Sequence, residues 1–166
     1  MNYLFLVIAI IIIIFAYFLY KVPINDISTD LENPLQFYEK DSKFPTKSKI
    51  YQPKYHREVK SLVLESTDEK SVFESLKSVI KKMERIEIVK IDDEEKKLQF
   101  IETTKIFRWK DDAIFWVHKS KDSYSVLVDA RSKSRVGKSD LGVNAKRIMR
   151  IFGELKKDLE KSKKTD

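Results

Sequence analysis

The feature that most constrains this chain is its amino terminus, where residues 1–20 contain no Asp, Glu, Lys or Arg. Apolar and aromatic side chains follow one another without interruption from Tyr3 to Tyr20. At about 1.5 Å of rise per helical residue, this run would measure roughly 27 Å, close to the thickness of a bilayer's hydrocarbon core. Tyrosines near both ends suit the lipid–water interface, and Lys21 ends the run. We therefore predict a single-pass transmembrane anchor over residues 1–20.

A cleaved signal peptide is the rival interpretation of the same segment. Such a peptide has a basic start, a shorter apolar core and small residues before its cleavage site. Here only Met1 and Asn2 precede the apolar run, and bulky side chains from Tyr17 to Tyr20 stand where small ones are needed. We therefore favour an anchor that is retained. Charges near its ends are too few to determine the side on which the remaining chain lies, and we favour the extracytoplasmic side.

The remainder of the chain carries every charged side chain of the protein. The 166 residues include 33 Lys and Arg against 26 Asp and Glu, which gives a formal net charge of +7. After the apolar run, the chain has room for one domain of ordinary size and no second core. The sequence contains no cysteine, which excludes disulfides, thiolate nucleophiles, cysteine-ligated zinc and a lipoprotein type of anchor.

All four prolines lie between the apolar run and residue 54. Proline fixes its own φ, lacks an N–H donor and biases the preceding residue toward extended conformations. We therefore expect residues 21–57 to form a loosely packed spacer and residues 58–162 to form one soluble domain. Several side chains of the spacer are expected to dock part of it onto the domain: Phe37, Tyr38, Phe44, Ile50 and Tyr51.

Two stretches of the domain have the spacing of amphipathic helices. The first covers residues 67–83, where apolar side chains recur every three or four positions. Ser66 and Glu69 are spaced as a capping box at its start. The second helix is expected to start near Ser139 or Asp140, either of which can cap it, and to continue into the lysine-rich carboxyl-terminal segment.

Five short segments are typical of strands, and the last of them alternates apolar and polar residues with a period of two. The element order is therefore β-α-β-β-β-β-α. Because the connections are short, this order predicts an α+β domain with an antiparallel sheet and both helices on one face. The strands are expected at residues 59–65, 86–91, 98–107, 113–118 and 124–131.

The segment that joins the last strand to the last helix combines glycines with closely spaced arginines. Residues 131–144 hold two of the three glycines in the chain. N–H groups at a helix start and guanidinium groups are donors that bind anions and carboxylates. A ligand site is therefore one interpretation, and its candidate residues are Arg131, Ser134, Arg135, Asp140, Asn144 and Arg147.

Residues 131–144 read RSKSRVGKSDLGVN, which resembles the signature of the domain-of-unknown-function family numbered 1499. Residues 107–113 are similar to that family's aromatic and Asp-Asp element before a strand. The likeness covers residues 58–155. It implies no established activity, and it implies a bacterial protein that is secreted or attached to a membrane. Many relatives have a Cys- and Pro-containing element ahead of the domain, whereas this chain has Asn33-Pro34 and no cysteine there.

A structural network is the alternative interpretation of the arginine-rich segment. Ion pairs and caps would fix the turn between strand and helix, with Asp111 or Asp112 pairing with an arginine. These interactions account for the same residue types, and we favour them over a ligand site. Neighbouring strand residues point to opposite faces, so Asp111 and Asp112 are not expected to act together as acid and base. A turn between two strands is the role that we favour for them.

Other chemistries lack their motifs in this sequence. Residues 137–139 match the last three positions of the phosphate-binding loop motif, but Ser132 occupies the position of the first glycine of that motif. The two histidines, His56 and His118, have no spacing to acidic residues that is typical of a metal site, so we expect neither metal nor cofactor. The lysines are scattered among acidic residues without interleaved aromatic side chains, which argues against nucleic acid. Anionic lipid headgroups are the more accessible partner, and the lysines of the last helix and tail are the candidates for contacting them. A solvated helix end, with cations that suit the helix dipole, is the interpretation that we favour for these lysines.

These observations predict a membrane-attached module of the cell envelope with a binding or structural role. Its expected partners are the lipid bilayer and either an anionic ligand or an envelope protein. The alternative is an enzyme of unrecognised type that acts on an anionic or carbohydrate-like substrate through the arginine–aspartate cluster. We favour the non-catalytic role because no nucleophile motif is present.

Overall fold

The computed structural model describes residues 2–21, 25–38, 56, 58–121, 124–137 and 139–163. It confirms an α+β protein with an antiparallel sheet. The elements after β1 follow the predicted order β-α-β-β-β-β-α. In chain order, the elements are α1 (Asn2–Lys21), β1 (Asp26–Ser28), β2 (Leu62–Glu65), α2 (Glu69–Lys81), β3 (Ile86–Asp92), β4 (Lys97–Thr103), β5 (Lys110–Lys119), β6 (Ser125–Ser134) and α3 (Val143–Ser162).

Among the residues that the structure describes, the sheet has six strands, of which five lie side by side in the order β1-β6-β5-β4-β3. Strand β6 is long enough to pair with two short strands along its outer edge. Its carboxyl-terminal part pairs with β1 and its amino-terminal part pairs with β2. Consecutive strands from β3 to β6 are joined by hairpins, which is why all these pairs are antiparallel.

The main core lies between the sheet and helices α2 and α3. Both helices contribute to one buried cluster, so they cover the same face of the sheet, as predicted. Phe115 on β5 packs edge-on against Phe152 on α3, with 6.0 Å between ring centroids. Full burial of a large apolar side chain contributes about 1.5–3 kcal/mol, and this cluster contains many more buried apolar side chains than the one on the opposite face. Other fully buried members include Leu76, Ile80, Phe100, Ile148 and Leu155.

Part of the predicted spacer belongs to the folded domain. Residues 26–28 form strand β1, and Ile27 on that strand is fully buried in the main core. Leu35 and Phe37 then cover Ile114 on the opposite face of the sheet, which we call the open face because it is turned away from α2 and α3. The expectation of a loosely packed spacer is therefore wrong for residues 25–38. The predicted docking residues Phe44, Ile50 and Tyr51 lie outside the described residues.

Helix α2 begins two residues later than its predicted start, and the predicted capping box is absent. Asp68 is the N-cap, and its side chain accepts a hydrogen bond of 2.9 Å from the backbone N–H of Ser71. Ser66 has a φ of 53°, which places it in the turn that follows β2. The predicted pairing of Ser66 with Glu69 is therefore wrong, because Asp68 is the N-cap and Ser66 lies two residues before it.

The β4–β5 hairpin also differs from its prediction. Strand β4 ends at Thr103 and not at residue 107, because Thr104 and Trp109 close a turn with a backbone hydrogen bond of 2.8 Å. Strand β5 consequently starts at Lys110. Its earlier start places the Asp111-Asp112 pair inside a strand, so the predicted turn role for these two residues is wrong.

Helix α1 occupies the apolar amino-terminal run, and it is 20 residues long. Large apolar side chains such as those of Leu4 and Ile13 are exposed along it. Within the part of the chain that the structure describes, no helix combines the length and apolar character needed to cross a membrane. The transmembrane assignment of residues 1–20 therefore stays a prediction.

Candidate functional site

The arginine-rich segment is divided between the two faces of the sheet. Its first part belongs to β6, where successive side chains point in opposite directions. Ser132 and Ser134 face helix α3, whereas Arg131 and Arg135 lie on the open face with Lys133 between them. The six candidate ligand residues therefore do not converge on one place.

On the helix side, Arg147 of α3 is the centre of a buried network. Its Nε donates to Glu102 Oε2 at 2.6 Å, and its Nη2 donates to Asp111 Oδ2 at 2.7 Å. Its Nη1 donates to Ser132 Oγ at 2.8 Å and to Asn144 Oδ1 at 2.5 Å. Arg147 is only 3% exposed, and its three guanidinium nitrogens all have partners. The geometry joins α3 to β4, β5 and β6.

The two carboxylates that contact Arg147 respond differently to burial. Burial raises the pKa of Asp111 above its ordinary value, and the nearby Arg147 charge offsets only part of this effect. Burial also opposes ionisation of Glu102, but the charges and hydrogen bonds of Arg147 and Arg150 outweigh it, so the pKa of Glu102 is lowered. Glu102 has a second arginine partner, since Arg150 donates to it at 2.8 Å, whereas the charge of Asp140 further raises the pKa of Asp111.

Asn144 and Asp140 fix the start of α3. The Nδ2 of Asn144 donates to Ser134 Oγ at 3.0 Å and to the carbonyl of Asn25 at 3.2 Å, which ties the helix start to the residue before β1. Asp140 accepts from the backbone N–H groups of Gly142 and Asn144, each at 2.9 Å. Asp140 thus satisfies donors at the helix start, although α3 itself begins at Val143.

On the open face, two arginines form paired contacts with buried carboxylates. Arg131 donates to both oxygens of Asp26 at 3.0 and 2.9 Å, and to the carbonyl of Leu35 at 2.7 Å. Arg135 donates to both oxygens of Asp112 at 2.6 and 2.9 Å. Two-pronged contacts of this kind are strong and hold both groups in one geometry. Arg131 therefore fastens β1 and the chain after it to β6.

These contacts are those of a structural network. Asp111 and Asp112 each pair with an arginine, on opposite faces, which agrees with the expectation that they do not act together. The guanidinium groups of Arg131, Arg135 and Arg147 point at carboxylates of the same chain. A ligand role for these residues stays a prediction, since an anion would have to compete with buried carboxylates that are already in place.

A separate cavity of about 1030 Å³ lies on the open face, and none of the six candidate residues lines it. Its size falls near the upper end of the range for small-molecule sites. The lining comes from the chain after β1, from residues shortly before β2, from the carboxyl-terminal part of β5 and the chain that follows it, and from the amino-terminal half of β6. Polar and aromatic members include Thr29, Asp30, His56, Lys60, Ser61, Trp116, His118, Lys119, Lys121 and Asp129.

Asp129 and His118 form the polar centre of this cavity. The Nε2 of His118 lies 2.7 Å from Asp129 Oδ2. The other oxygen of Asp129 accepts from the hydroxyl groups of Thr29, at 2.9 Å, and Ser61. The ring of His118 stacks on Trp116 with 3.9 Å between centroids. Four parts of the chain therefore hold this centre in place: the segment after β1, the segment before β2, and strands β5 and β6.

Both ring nitrogens of His118 face oxygen atoms, which limits its chemistry. Nδ1 lies 3.0 Å from the carbonyl of Lys119, opposite the contact to Asp129. A neutral imidazole has one N–H and can donate to only one of these oxygens, whereas the protonated ring donates to both. In this geometry neither nitrogen has a lone pair directed at the cavity. The arrangement suits binding better than proton abstraction from a substrate.

The sequence contains only an indirect signal for this centre. Trp116 and His118 alternate along β5, and Asp129 lies directly opposite Trp116 in the register of β5 and β6. That register cannot be read from the sequence, so His118 was judged only as the end of a strand. Among the residues that the structure describes, no group of three or more His, Asp or Glu is placed to hold a metal ion.

Comparison with known proteins places this architecture in a family. No curated protein matches the chain. A family model described as a protein of unknown function, DUF1499, matches residues 26–155. The matched region starts with β1 and ends within α3, so it contains the sheet, helix α2, the first part of α3 and the arginine-rich segment. The match confirms the resemblance and extends it to residue 26. The chain therefore belongs to the DUF1499 family of proteins of unknown function.

Proposed function

We propose that this protein is a membrane-anchored module of the cell envelope that binds a small anionic ligand in the cavity beside His118 and Asp129. The observation that carries the binding role is the cavity itself, whose polar groups are held by hydrogen bonds from several parts of the fold. Catalysis is disfavoured by the two oxygen contacts of the His118 ring.

Three exposed lysines on the lining of the cavity support an anionic ligand. They are Lys60, Lys119 and Lys121. Three acidic residues also line the cavity. Asp129 is hydrogen bonded as described, Asp30 accepts from two backbone N–H groups at 2.9 Å each, and Glu32 is exposed. A carboxylate or phosphate group of a ligand could contact the exposed lysines, while Trp116 provides an apolar surface for the rest of the ligand.

The anchor is supported by the sequence of α1. No acidic side chain lies in its first turn. Residues 1–20 carry no charged side chain, so burial of the helix in hydrocarbon would leave no ionised group without water. The exposed apolar side chains along α1 would then contact lipid.

The cavity is tested by filling it. In Leu127→Trp, a larger side chain is placed at the lining of the cavity. Ile88→Trp is the matched control, because Ile88 lies on β3, away from the lining. The full-length protein and both variants are purified in detergent, and small molecules released on denaturation are measured by mass spectrometry. We expect an anionic compound to be depleted about ten-fold or more in Leu127→Trp and kept in the control. Equal recovery from all three proteins would contradict the proposal.

The anchor is tested independently by extraction of membranes with alkaline carbonate. The wild-type protein is expected to stay in the membrane pellet. An Ile11→Lys, Ile12→Lys variant is expected to move to the soluble fraction, because each lysine at the centre of a helix costs about 2.5–3.5 kcal/mol on insertion. Protease accessibility in intact and lysed cells then assigns the side on which the domain lies. Extraction of the wild-type protein by carbonate would refute the anchor.

A further inference from the structure

The point at which the chain enters the domain defines one end of the sheet. Helix α1 ends at Lys21, and Asn25 is the next described residue. Asn25 is held firmly, because its Nδ2 donates to the carbonyl of Gly137 at 2.8 Å and its carbonyl accepts from Ser134 N–H at 2.8 Å. Four residue steps separate Lys21 from Asn25, so the two lie at most about 14 Å apart.

Strand register places the β4–β5 hairpin at the same end. Asp26, the first residue of β1, is opposite Lys133 near the end of β6. The end of β6 in turn is opposite the start of β5, where Asp111 faces Ser134. The turn between β4 and β5, residues 104–109, therefore projects from the end of the domain at which the chain from α1 arrives. If α1 lies in a bilayer, this end is held near the bilayer surface.

This hairpin exposes large apolar side chains at its tip. Ile106 is 80% exposed, Phe107 is 65% exposed and Trp109 is 46% exposed. The rings of Phe107 and Trp109 stack on each other with 4.7 Å between centroids. We call residues 105–109 the aromatic tip. Exposed clusters of this kind mark surfaces that contact a partner or a membrane.

Further exposed apolar side chains lie at the same end. Val136 follows Arg135, whose backbone N–H donates to the carbonyl of Lys110 at 3.2 Å beside the hairpin. Leu141 precedes the start of α3, which is tied to Asn25 through Asn144. The end of the domain near the proposed anchor is therefore richer in exposed apolar surface than a domain surrounded by water requires.

The charges around the aromatic tip complement an anionic lipid surface. Lys105 and Arg108 belong to the tip and are exposed, and Lys110 follows it. Acidic side chains at this end are paired with basic ones. The buried carboxylates of Asp26, Glu102, Asp111 and Asp112 contact arginines. Of the exposed ones, Glu87 pairs with Lys110 at 3.3 Å, and Glu84 pairs with Arg85 at 2.9 Å. Tryptophan beside basic side chains is typical of segments that lie in the lipid headgroup region.

We propose that the aromatic tip docks onto the surface of the same bilayer that holds α1, and that it inserts Phe107 and Trp109 into the headgroup region. The inference rests on the proposed anchoring by α1. The short link between α1 and Asn25 brings the tip within reach, and the basic side chains add attraction to anionic lipids. Two attachments would fix the orientation of the domain, and with it the side from which a ligand reaches the cavity.

The test measures contact between Trp109 and lipid in vesicles. The full-length protein is reconstituted into vesicles of phosphatidylcholine and phosphatidylglycerol, with and without brominated acyl chains that quench tryptophan. The chain contains two tryptophans, so Trp109→Phe isolates the signal of Trp116. We expect quenching of the wild-type signal and about a two-fold or greater loss of that quenching in Trp109→Phe. Phe107→Glu is expected to reduce quenching, and Tyr124→Glu, at the opposite end of the domain, is the matched control.

The outcomes separate the tip from the anchor. Flotation of the vesicles on a density gradient reports anchoring, and circular dichroism reports the fold of each variant. Protein that floats but shows no quenching of Trp109 would overturn docking and leave the anchor intact. The same result is expected if a second copy or another protein covers the tip. Protein that fails to float would overturn the anchor and, with it, the docking inference.

Discussion

Removal of the Arg147 side chain is the most informative perturbation of the fold. Arg147→Met keeps most of the apolar stem and removes the guanidinium group that contacts Glu102, Asp111 and other partners. Glu102 keeps Arg150 as a partner, but Asp111 loses its arginine. Loss of one member of a buried ion pair costs about 3–5 kcal/mol, because the remaining charge stays buried without compensation.

The effect is measured as a change in the free energy of unfolding of the full-length protein in detergent. For a domain of this size, 1 kcal/mol corresponds to roughly 3–5 °C in Tm, so Arg147→Met is expected to lower the Tm by about 9–25 °C. Arg150→Met is the matched control. Its side chain is 48% exposed and contacts the same Glu102, so its loss is expected to cost no more than about 1 kcal/mol.

Two further results follow from the buried carboxylate. Adding Asp111→Asn to Arg147→Met removes the uncompensated charge, so the double variant should be more stable than Arg147→Met at pH 7. The pKa of Asp111 is already raised by burial and rises further without Arg147. When the pKa of a carboxyl group is higher in the folded than in the unfolded state, protonation of the group stabilises the folded state. The loss of unfolding free energy caused by Arg147→Met should therefore become smaller as the pH falls through that pKa. Equal costs for Arg147→Met and Arg150→Met would refute the reasoning.

Two other predictions concern backbone conformation and ionisation. Gly142→Ala should destabilise the domain by about 1 kcal/mol or more, because Gly142 has a φ of +78° and an added Cβ would meet the His56 ring at 3.4 Å. A Cβ added at Gly153, in the interior of α3, would meet no atom within 4 Å, so Gly153→Ala should stabilise the domain by about 0.5–1 kcal/mol. Changes in Tm of the same sign for the two variants would contradict this prediction. The pKa of Glu102 is lowered from 4.5 in the folded protein. The ionised Glu102 side chain therefore stabilises the folded state above pH 4.5, and this stabilisation is lost as the pH falls through the lowered pKa. In denaturant unfolding, Glu102→Gln should have a lower free energy of unfolding than the wild type, and the difference should shrink as the pH falls. A difference that does not change with pH would count against this prediction.

The elements with strong periodicity could be predicted from the sequence. Helix α2 repeats apolar residues every three or four positions, and β6 alternates them. Such patterns depend on local geometry alone, so their class and approximate limits follow without knowledge of neighbouring strands. Strand β1 was missed for the opposite reason. Its residues Asp26 and Ser28 are polar but buried, because β6 supplies Arg131 as a partner for Asp26.

In the candidate site, too, some features could be predicted from the local sequence and others depend on neighbouring strands. The residue types in the arginine-rich segment were recognised, but their partners depend on which strands are neighbours and in what register. The alternation of β6 sends Arg131 and Ser132 to opposite faces, so one continuous motif contributes to two separate networks. The centre formed by His118 and Asp129 joins β5 to β6, and neither residue stands out in its own segment.

By itself, the sequence determined the apolar amino-terminal run, the α+β class, the family and the residue types that form ion pairs. Only the tertiary structure decided that residues 25–38 complete the sheet, that the arginines contact carboxylates of the same chain, and that the cavity lies beside His118. The physical reason is range. Helix and strand periodicity arises between residues a few positions apart, whereas Asp26 meets Arg131 across 105 positions and Asn25 meets Asn144 across 119. Contacts at such separations exist only once the sheet has assembled and set its register.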